Sequence, residues 1–259
     1  MTEPFLLTAG DPGRPPLLCL HGIGSCANAF VPQFPLADRC DRYVAAWDAP
    51  GYRRSGDVEA PFTLDDWADA AAHVLRSLGA SPTAPADVLG VSWGGVTATR
   101  LVLRHPELVR SLVLASSSVG SGTTAERADA MRGRADELAA VGHDAFCRSR
   151  APRLVTPNAP AQLVDDVAET MIASVRPDGY ALACHSMADT DHTGRLGDIA
   201  APTLVLVGDE DIVTPLERAQ VLADGIPGAE LRTIASAGHL ANQEEPEAFN
   251  ELVAAFLLG

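Results

Sequence analysis

The chain has 259 residues, 47% of them apolar and 20% charged, with a formal net charge of −15. That length suffices for one domain with a large core, and the acidic balance argues against nucleic acid or an anionic membrane surface as a partner. Lysine is absent and all nineteen Lys/Arg positions are arginine, which excludes lysine Schiff-base chemistry and a Walker A phosphate loop.

The predicted elements alternate along the chain. A strand near residues 5–8 is followed by an apolar strand at 17–20 that runs into His21-Gly22. Only sixteen residues precede Leu17, too few for two long leading strands, so a short or missing first strand is expected. A strand at 43–47 leads into Asp48-Ala49-Pro50-Gly51-Tyr52. Residues 64–78 form a helix that opens on Thr63 and Asp66, a capping-box pattern, and stops at Gly79. The strand at 87–91 enters Gly90-Val91-Ser92-Trp93-Gly94, with Gly95 next and a helical stretch at 96–104. A strand at 111–115 follows.

From 119 to 197 no segment reads as a strand, and Ala, Arg, Asp and Glu recur at helical spacing. Pro152, Pro157, Pro160 and Pro177 divide this block into short helices. Strands resume at 203–207 and 230–234, and a last helix at 246–258 begins with the acidic pair Glu244 and Glu245. Alternating strands and helices predict an α/β fold with a mostly parallel sheet flanked by helices. The expected organisation is a core of 1–118 and 198–259 with a helical cap insertion at 119–197.

No apolar run approaches the ~18 residues of a membrane span. Met1-Thr2-Glu3-Pro4-Phe5 lacks a basic region before its short apolar patch, so no signal peptide is expected. The five cysteines are odd in number and lack C-x-x-C spacing. They read as reduced thiols of a cytoplasmic protein, not as a disulfide frame or zinc site.

The pentapeptide around Ser92 sits between a strand and a helix. A sharp turn there presents a serine hydroxyl above the sheet, next to a helix N-terminus that stabilises a developing oxyanion. Serine is a poor nucleophile unless a base takes its proton, and the base needs an acid to fix its tautomer. Asp211, in Gly208-Asp209-Glu210-Asp211-Ile212-Val213-Thr214-Pro215, and His239, in Ser236-Ala237-Gly238-His239-Leu240, both follow strands. Ligands bind at such C-terminal strand ends in open α/β sheets. Asp209 competes with Asp211 as the acid and otherwise reads as a turn residue.

These motifs, in this order, resemble those of the α/β-hydrolase family over essentially the whole chain. The resemblance rests on His21-Gly22, Asp48-x-Pro50-Gly51-Tyr52, the Ser92 elbow, Gly208-x-x-Asp211-x-x-x-Pro215 and Gly238-His239. It implies a catalytic triad of Ser92, Asp211 and His239. It also implies an oxyanion hole made by the backbone N–H groups of Ile23 and Trp93, and a loop-ordering role for His21. Arg53 stands where the family pattern often has glycine, and a positive φ there would strain it. Residues 238–250 look most like the corresponding stretch of 3-oxoadipate enol-lactonases and related carboxylesterases.

The expected activity is cofactor-free hydrolysis of a small-molecule carboxylic ester or lactone, by a monomer or homodimer. C–C bond hydrolysis and perhydrolysis use the same three residues. Leu240, where C–C hydrolases usually carry tryptophan, speaks against the former. A non-hydrolytic lyase, cyclase or ligand receptor is the alternative from another class, since fold does not fix function. Arg132, Phe146 and Arg150 are the candidate substrate contacts in 119–197. Metal is not expected, and the run His185-x-x-x-Asp189-x-Asp191-His192 reads as caps and turns.

Overall fold

The computed structural model describes residues 3–259. Seven strands form one sheet in the order β1-β3-β2-β4-β5-β6-β7. They are β1 (Leu6–Ala9), β2 (Pro16–Leu20), β3 (Tyr43–Trp47), β4 (Ala86–Val91), β5 (Val109–Ala115), β6 (Thr203–Gly208) and β7 (Glu230–Ile234). Only β1 runs antiparallel, pairing Leu6 with Trp47 on β3. The others are parallel, with registers such as Leu18 beside Val88 and Leu114 beside Val205.

β2, β4 and β6 are buried at every position, as expected of parallel strands covered on both faces. Period-two alternation splits their side chains between two cores. Leu18, Leu20, Val88, Leu112, Leu114 and Val205 face one side. Leu17, Cys19, Leu89, Val113, Leu204 and Leu206 face the other. β7 is the polar edge strand, exposed at Glu230, Arg232 and Thr233, which blunts edge pairing.

The helices are α1 (Leu36–Cys40), α2 (Leu64–Ser77), α3 (Trp93–Arg104), α4 (Ala125–Val141), α5 (His143–Arg150), α6 (Ala161–Ser174), α7 (Pro177–Ala188), α8 (Leu216–Gly225), α9 (Ala241–Glu244) and α10 (Pro246–Leu258). α2, α3 and α8 cover the first core, while α1 and α10 cover the second. The start of α2 follows from its sequence: the Asp66 carboxylate accepts from the Thr63 N–H and hydroxyl, each at 2.7 Å. This reciprocal cap satisfies two otherwise free donors.

The strands at 43–47 and 230–234 and the last helix match the sequence expectation residue for residue. The first strand is short, at four residues, and lies one residue later than expected. Between β5 and β6 the chain is helical, with α4 packed on α7 and α5 on α6. Pro177 opens α7 and Pro160 sits just before α6.

Several bonds fasten this helical segment to the sheet layer, among them contacts on two sides of the site. Arg176 donates to the carbonyls of Gly51 and Ser55, and a Cβ on Gly179 would come within 2.2 Å of the Gly51 carbonyl oxygen. On the other side, the Leu240 N–H donates to Leu154 at 3.0 Å and the Thr156 N–H donates to Glu244 at 2.6 Å.

Candidate active site

The strand order reverses between β2 and β4, so the loops that follow these two neighbours leave in different directions and open a crevice. Ser92 is at the end of β4, and the His21–Ser25 loop is at the end of β2. Ser92 has φ +56° and ψ −119°, a region that costs a non-glycine residue about 1–3 kcal/mol. Its surroundings hold it there. The Ser92 N–H donates to Ala115 at 2.9 Å, and its carbonyl accepts from Ser117 Oγ at 2.9 Å and from the Gly95 and Val96 amides.

The flanking glycines are a steric requirement. A Cβ on Gly90 would sit 2.4 Å from the Gly94 carbonyl oxygen, and one on Gly94 would sit 2.0 Å from that of Leu20. No side chain fits at those separations, so the strand-to-helix turn can be this tight only with glycine.

Three side chains converge on the turn. The Ser92 hydroxyl lies 3.0 Å from His239 Nε2. His239 Nδ1 lies 2.9 Å from Asp211 Oδ2 and 3.2 Å from Oδ1. Asp211 and His239 are both 4% exposed. Burial alone would push the Asp211 carboxyl up. The charge and hydrogen bond of His239, with the Thr214 amide and hydroxyl, outweigh burial and hold it below the ordinary carboxylate value. Asp209 takes a different part: it accepts weakly from the Ala237 N–H at 3.4 Å and makes no contact with His239.

Two polar residues here carry no obvious sequence signal. The Thr214 hydroxyl lies 2.7 Å from Asp211 Oδ2 and 2.8 Å from the Ser116 carbonyl oxygen, and one proton serves one of them at a time. Glu244 bridges the His239 loop to the helical segment, accepting from Gly238 N–H at 2.8 Å and from Thr156 N–H. Glu244 reads from sequence as a helix-start acid, and only the tertiary fold brings Thr156 to it.

The Ile23 and Trp93 amides both border the space beside Ser92, and neither donates to another protein group among the described residues. The loop bearing Ile23 is braced from below. His21 Nδ1–H donates to Gly22 at 2.8 Å, while Nε2 accepts from Ala49 N–H at 3.0 Å. Burial depresses the His21 pKa to about 4, so the ring stays neutral and keeps this tautomer. The Tyr52 hydroxyl donates to the Ile23 carbonyl at 2.8 Å. Gly22 leaves room for Ser92, whose Cβ would be 3.3 Å from an added Cβ.

Ser92 opens onto a cavity with two lobes. The first is walled by Phe30, Leu154, Val167, Met171, Tyr180 and Leu240. The second is reached past Ile23 and Ser92 toward Met131, Met187 and Arg218. Both lobes are lined by Arg134.

Of the candidate substrate contacts, Arg150 lines the first lobe. Arg132 and Phe146 do not. Arg132 turns outward and pairs with Asp189 and Asp129, because two residues along α4 rotate a side chain by roughly 200° from Arg134. Phe146 is fully buried, edge-on to Tyr180 at 5.5 Å and beneath the Arg150 guanidinium. It fills the helical segment's own core. Arg53 has φ +35°, the conformation the sequence pattern assigns to glycine. It is held by an N–H bond to Ser174 at 3.2 Å and a guanidinium contact to Cys26 Sγ.

The residues of the His185–His192 run are spread apart in space. Asp189 pairs with Arg132, and His192 is buried with Nε2–H donating to Val96 at 3.2 Å. Among the described residues no three His, Cys, Asp or Glu side chains group as a metal site.

A family model for the alpha/beta hydrolase fold matches residues 15–246. The chain is 28% identical to 3-oxoadipate enol-lactonase 2 of Acinetobacter baylyi, covering 96% of this chain and 91% of that one. It is 31% identical to 2-hydroxymuconate semialdehyde hydrolase of a Pseudomonas species, covering 93% and 86%. Among solved structures, a thermophilic esterase from Thermogutta terrifontis with malate bound superposes with a TM-score of 0.87 at 25% identity, over 98% of this chain and 92% of that one. A hydrolase from Pseudomonas aeruginosa gives 0.88 at 27% identity, over 98% and 94%.

Proposed function

We propose that this chain, which belongs to the α/β-hydrolase fold family, hydrolyses a carboxylic ester or lactone through an acyl-enzyme on Ser92. The observation that carries the reading is the continuous relay from Ser92 Oγ to His239 Nε2 at 3.0 Å and from His239 Nδ1 to Asp211 at 2.9 Å, beside two unpartnered amides.

The chemistry follows from those contacts. His239 takes the Ser92 proton as the hydroxyl oxygen attacks the substrate carbonyl. The carbonyl oxygen becomes negative and is met by the N–H of Ile23, in the loop after β2, and by that of Trp93 at the start of α3, where the helix dipole adds to the field. Asp211, held ionised, stabilises the imidazolium and keeps Nδ1 protonated. His239 then gives its proton to the leaving oxygen, the acyl group stays on Ser92, and water deprotonated by His239 releases it. Ser92, His239, the leaving oxygen and one water account for every proton moved, so the proposed mechanism calls on no cofactor.

The relatives' own names, an enol-lactonase and a 2-hydroxymuconate semialdehyde hydrolase, support hydrolysis. The 31% identity to the second favours one rival, C–C bond hydrolysis, in which the same serine attacks a ketone. Leu240 stands after His239 and lines the first lobe, an apolar wall that suits an acyl chain. The five cysteines, all buried and unpaired, fit a reducing compartment, which is the ground for placing the protein in the cytoplasm.

A fluorophosphonate probe should label wild type at Ser92 and leave Ser92→Ala unlabelled. Turnover of p-nitrophenyl butyrate should fall by roughly 10⁶-fold in that variant. Wild-type turnover surviving the substitution would mean that Ser92 is not the nucleophile. Turnover of a vinylogous diketone ahead of all esters would favour the C–C reading.

A further inference from the structure

Arginine pairing in this protein divides sharply by location. In a chain with 34 acidic residues, fourteen of the nineteen guanidiniums have a carboxylate partner among the described residues. The arginines without one, among the described residues, are Arg53, Arg127, Arg134, Arg153 and Arg218. Three of these five, Arg127, Arg134 and Arg218, line the second lobe beside Ser92. No Asp or Glu lines either lobe.

Among the described residues, Arg134 and Arg218 make no side-chain hydrogen bond to protein. Arg127 reaches only the Thr123 hydroxyl, at 3.1 Å. Burial pushes the pKa of Arg134 down, with Arg150 adding to the effect, and burial with Arg127 does the same for Arg218. A guanidinium does not shed its proton in a protein, so these cations stay charged while partly desolvated, at a cost to the fold. Proteins tolerate such cost where function uses it.

We infer that the second lobe is a carboxylate-binding subsite, and that the substrate is an ester or lactone with a free carboxylate, which Arg134 and Arg218 grip from opposite walls. Resting on the hydrolase reading for its chemistry, it adds the substrate class. Arg134 comes from α4 and Arg218 from α8, so the anion would be clamped between the helical segment and the sheet layer. The planar fork of arginine suits the two oxygens of a carboxylate. The first lobe, mostly apolar apart from Arg134 and the Glu137-paired Arg150, takes the uncharged part of the same molecule. Ser92 lies where the lobes meet, which places the scissile carbonyl between the charged and greasy ends.

The test uses Ser92→Ala protein and calorimetry with two ligands of equal length, monomethyl glutarate and methyl pentanoate. Binding of the half-ester should be about 10–100-fold tighter, with an advantage that shrinks as salt rises. Arg134→Gln and Arg218→Gln, each placed in the Ser92→Ala background, should each remove about tenfold of that advantage. Arg132→Gln, outside the cavity, should leave it intact. Because Arg134 pays a desolvation cost with no partner, its glutamine variant should also melt higher than its parent, a sign that a merely structural arginine would not give.

Equal affinity for the two ligands, or an advantage that survives both arginine substitutions, would overturn the inference. The same pair of esters offered to the Ser92 enzyme separates the two readings. Hydrolysis without preference for the half-ester sinks the subsite and leaves the hydrolase. Arginine-dependent binding of the half-ester without hydrolysis of either ester does the reverse.

Discussion

Replacing His192 with glutamine should make the protein less sensitive to acid. His192 is 1% exposed, and its Nε2–H donates to the Val96 carbonyl on α3. Burial first, and the Arg100 charge second, lower its pKa from 6.5 to about 4. The unfolded chain therefore binds a proton at this ring in a window where the native protein does not. His192 costs the fold nothing above about pH 6.5, and stability falls as the pH drops from there toward about 4. At ~1.4 kcal/mol per unit, the loss amounts to about 2 kcal/mol at about pH 5 and about 3 kcal/mol at about pH 4. Glutamine keeps an N–H near the position of ring Nε2 and has no titrating group. Thermal melts of the two proteins should nearly coincide at about pH 7.5. At about pH 5 the variant should melt ~4–8 °C above wild type, given ~2–4 °C per kcal/mol for a chain of this size. A difference that does not change with pH would refute the reasoning. His21, with a pKa lowered by burial to about 4 as well, leaves a second, independent acid sensitivity in both proteins.

Three further outcomes are expected. Gly94→Ala forces a Cβ to within 2.0 Å of a β2 carbonyl. β2 and α3 must separate, so kcat should fall by ~10²-fold or more as the Ile23 and Trp93 amides lose alignment, read with p-nitrophenyl butyrate alongside circular dichroism. Asp211→Asn should lower kcat by roughly 10⁴-fold with a much smaller change in KM, and steady-state kinetics decide it. Asp87→Ala removes a 1% exposed carboxylate that binds Arg42 at 2.7 Å, Arg110 and Ser111. Two guanidiniums lose their partner, so stability should drop by about 3–5 kcal/mol in urea unfolding. The kcat of the folded protein should be unchanged, because Asp87 lies at the opposite end of β4 from Ser92.

The fold was legible because strands and their loops carry local signals. The apolar runs of β2, β4 and β6 are continuous, and turn residues such as Gly79 mark where elements stop. Ser92, Asp211 and His239 stand out because their neighbours Gly90, Gly208 and Gly238 are fixed by close backbone approach. The cavity wall was not legible in the same way. α4 buries only Ala128, Met131 and Leu138, so its sequence has too weak an apolar stripe to tell which face meets the site. Arg132 and Arg134 are equivalent by composition and opposite by rotation. Phe146 reads as a pocket aromatic because size and apolarity do not distinguish a wall from an interior. Thr214 and Glu244 act through partners 98 and 88 residues away in the chain, and sequence spacing cannot reveal such pairs.

The 147-residue interval between Ser92 and His239 also has a consequence in time. A ribosome adding ~5–20 residues per second makes the serine roughly 7–30 s before the histidine. Throughout that interval the nascent chain carries a hydroxyl with no base beside it. On the proposed mechanism it gains that base only once β7, which precedes His239, joins the edge of the sheet. The mechanism thus makes hydrolysis a report on the docking of β7.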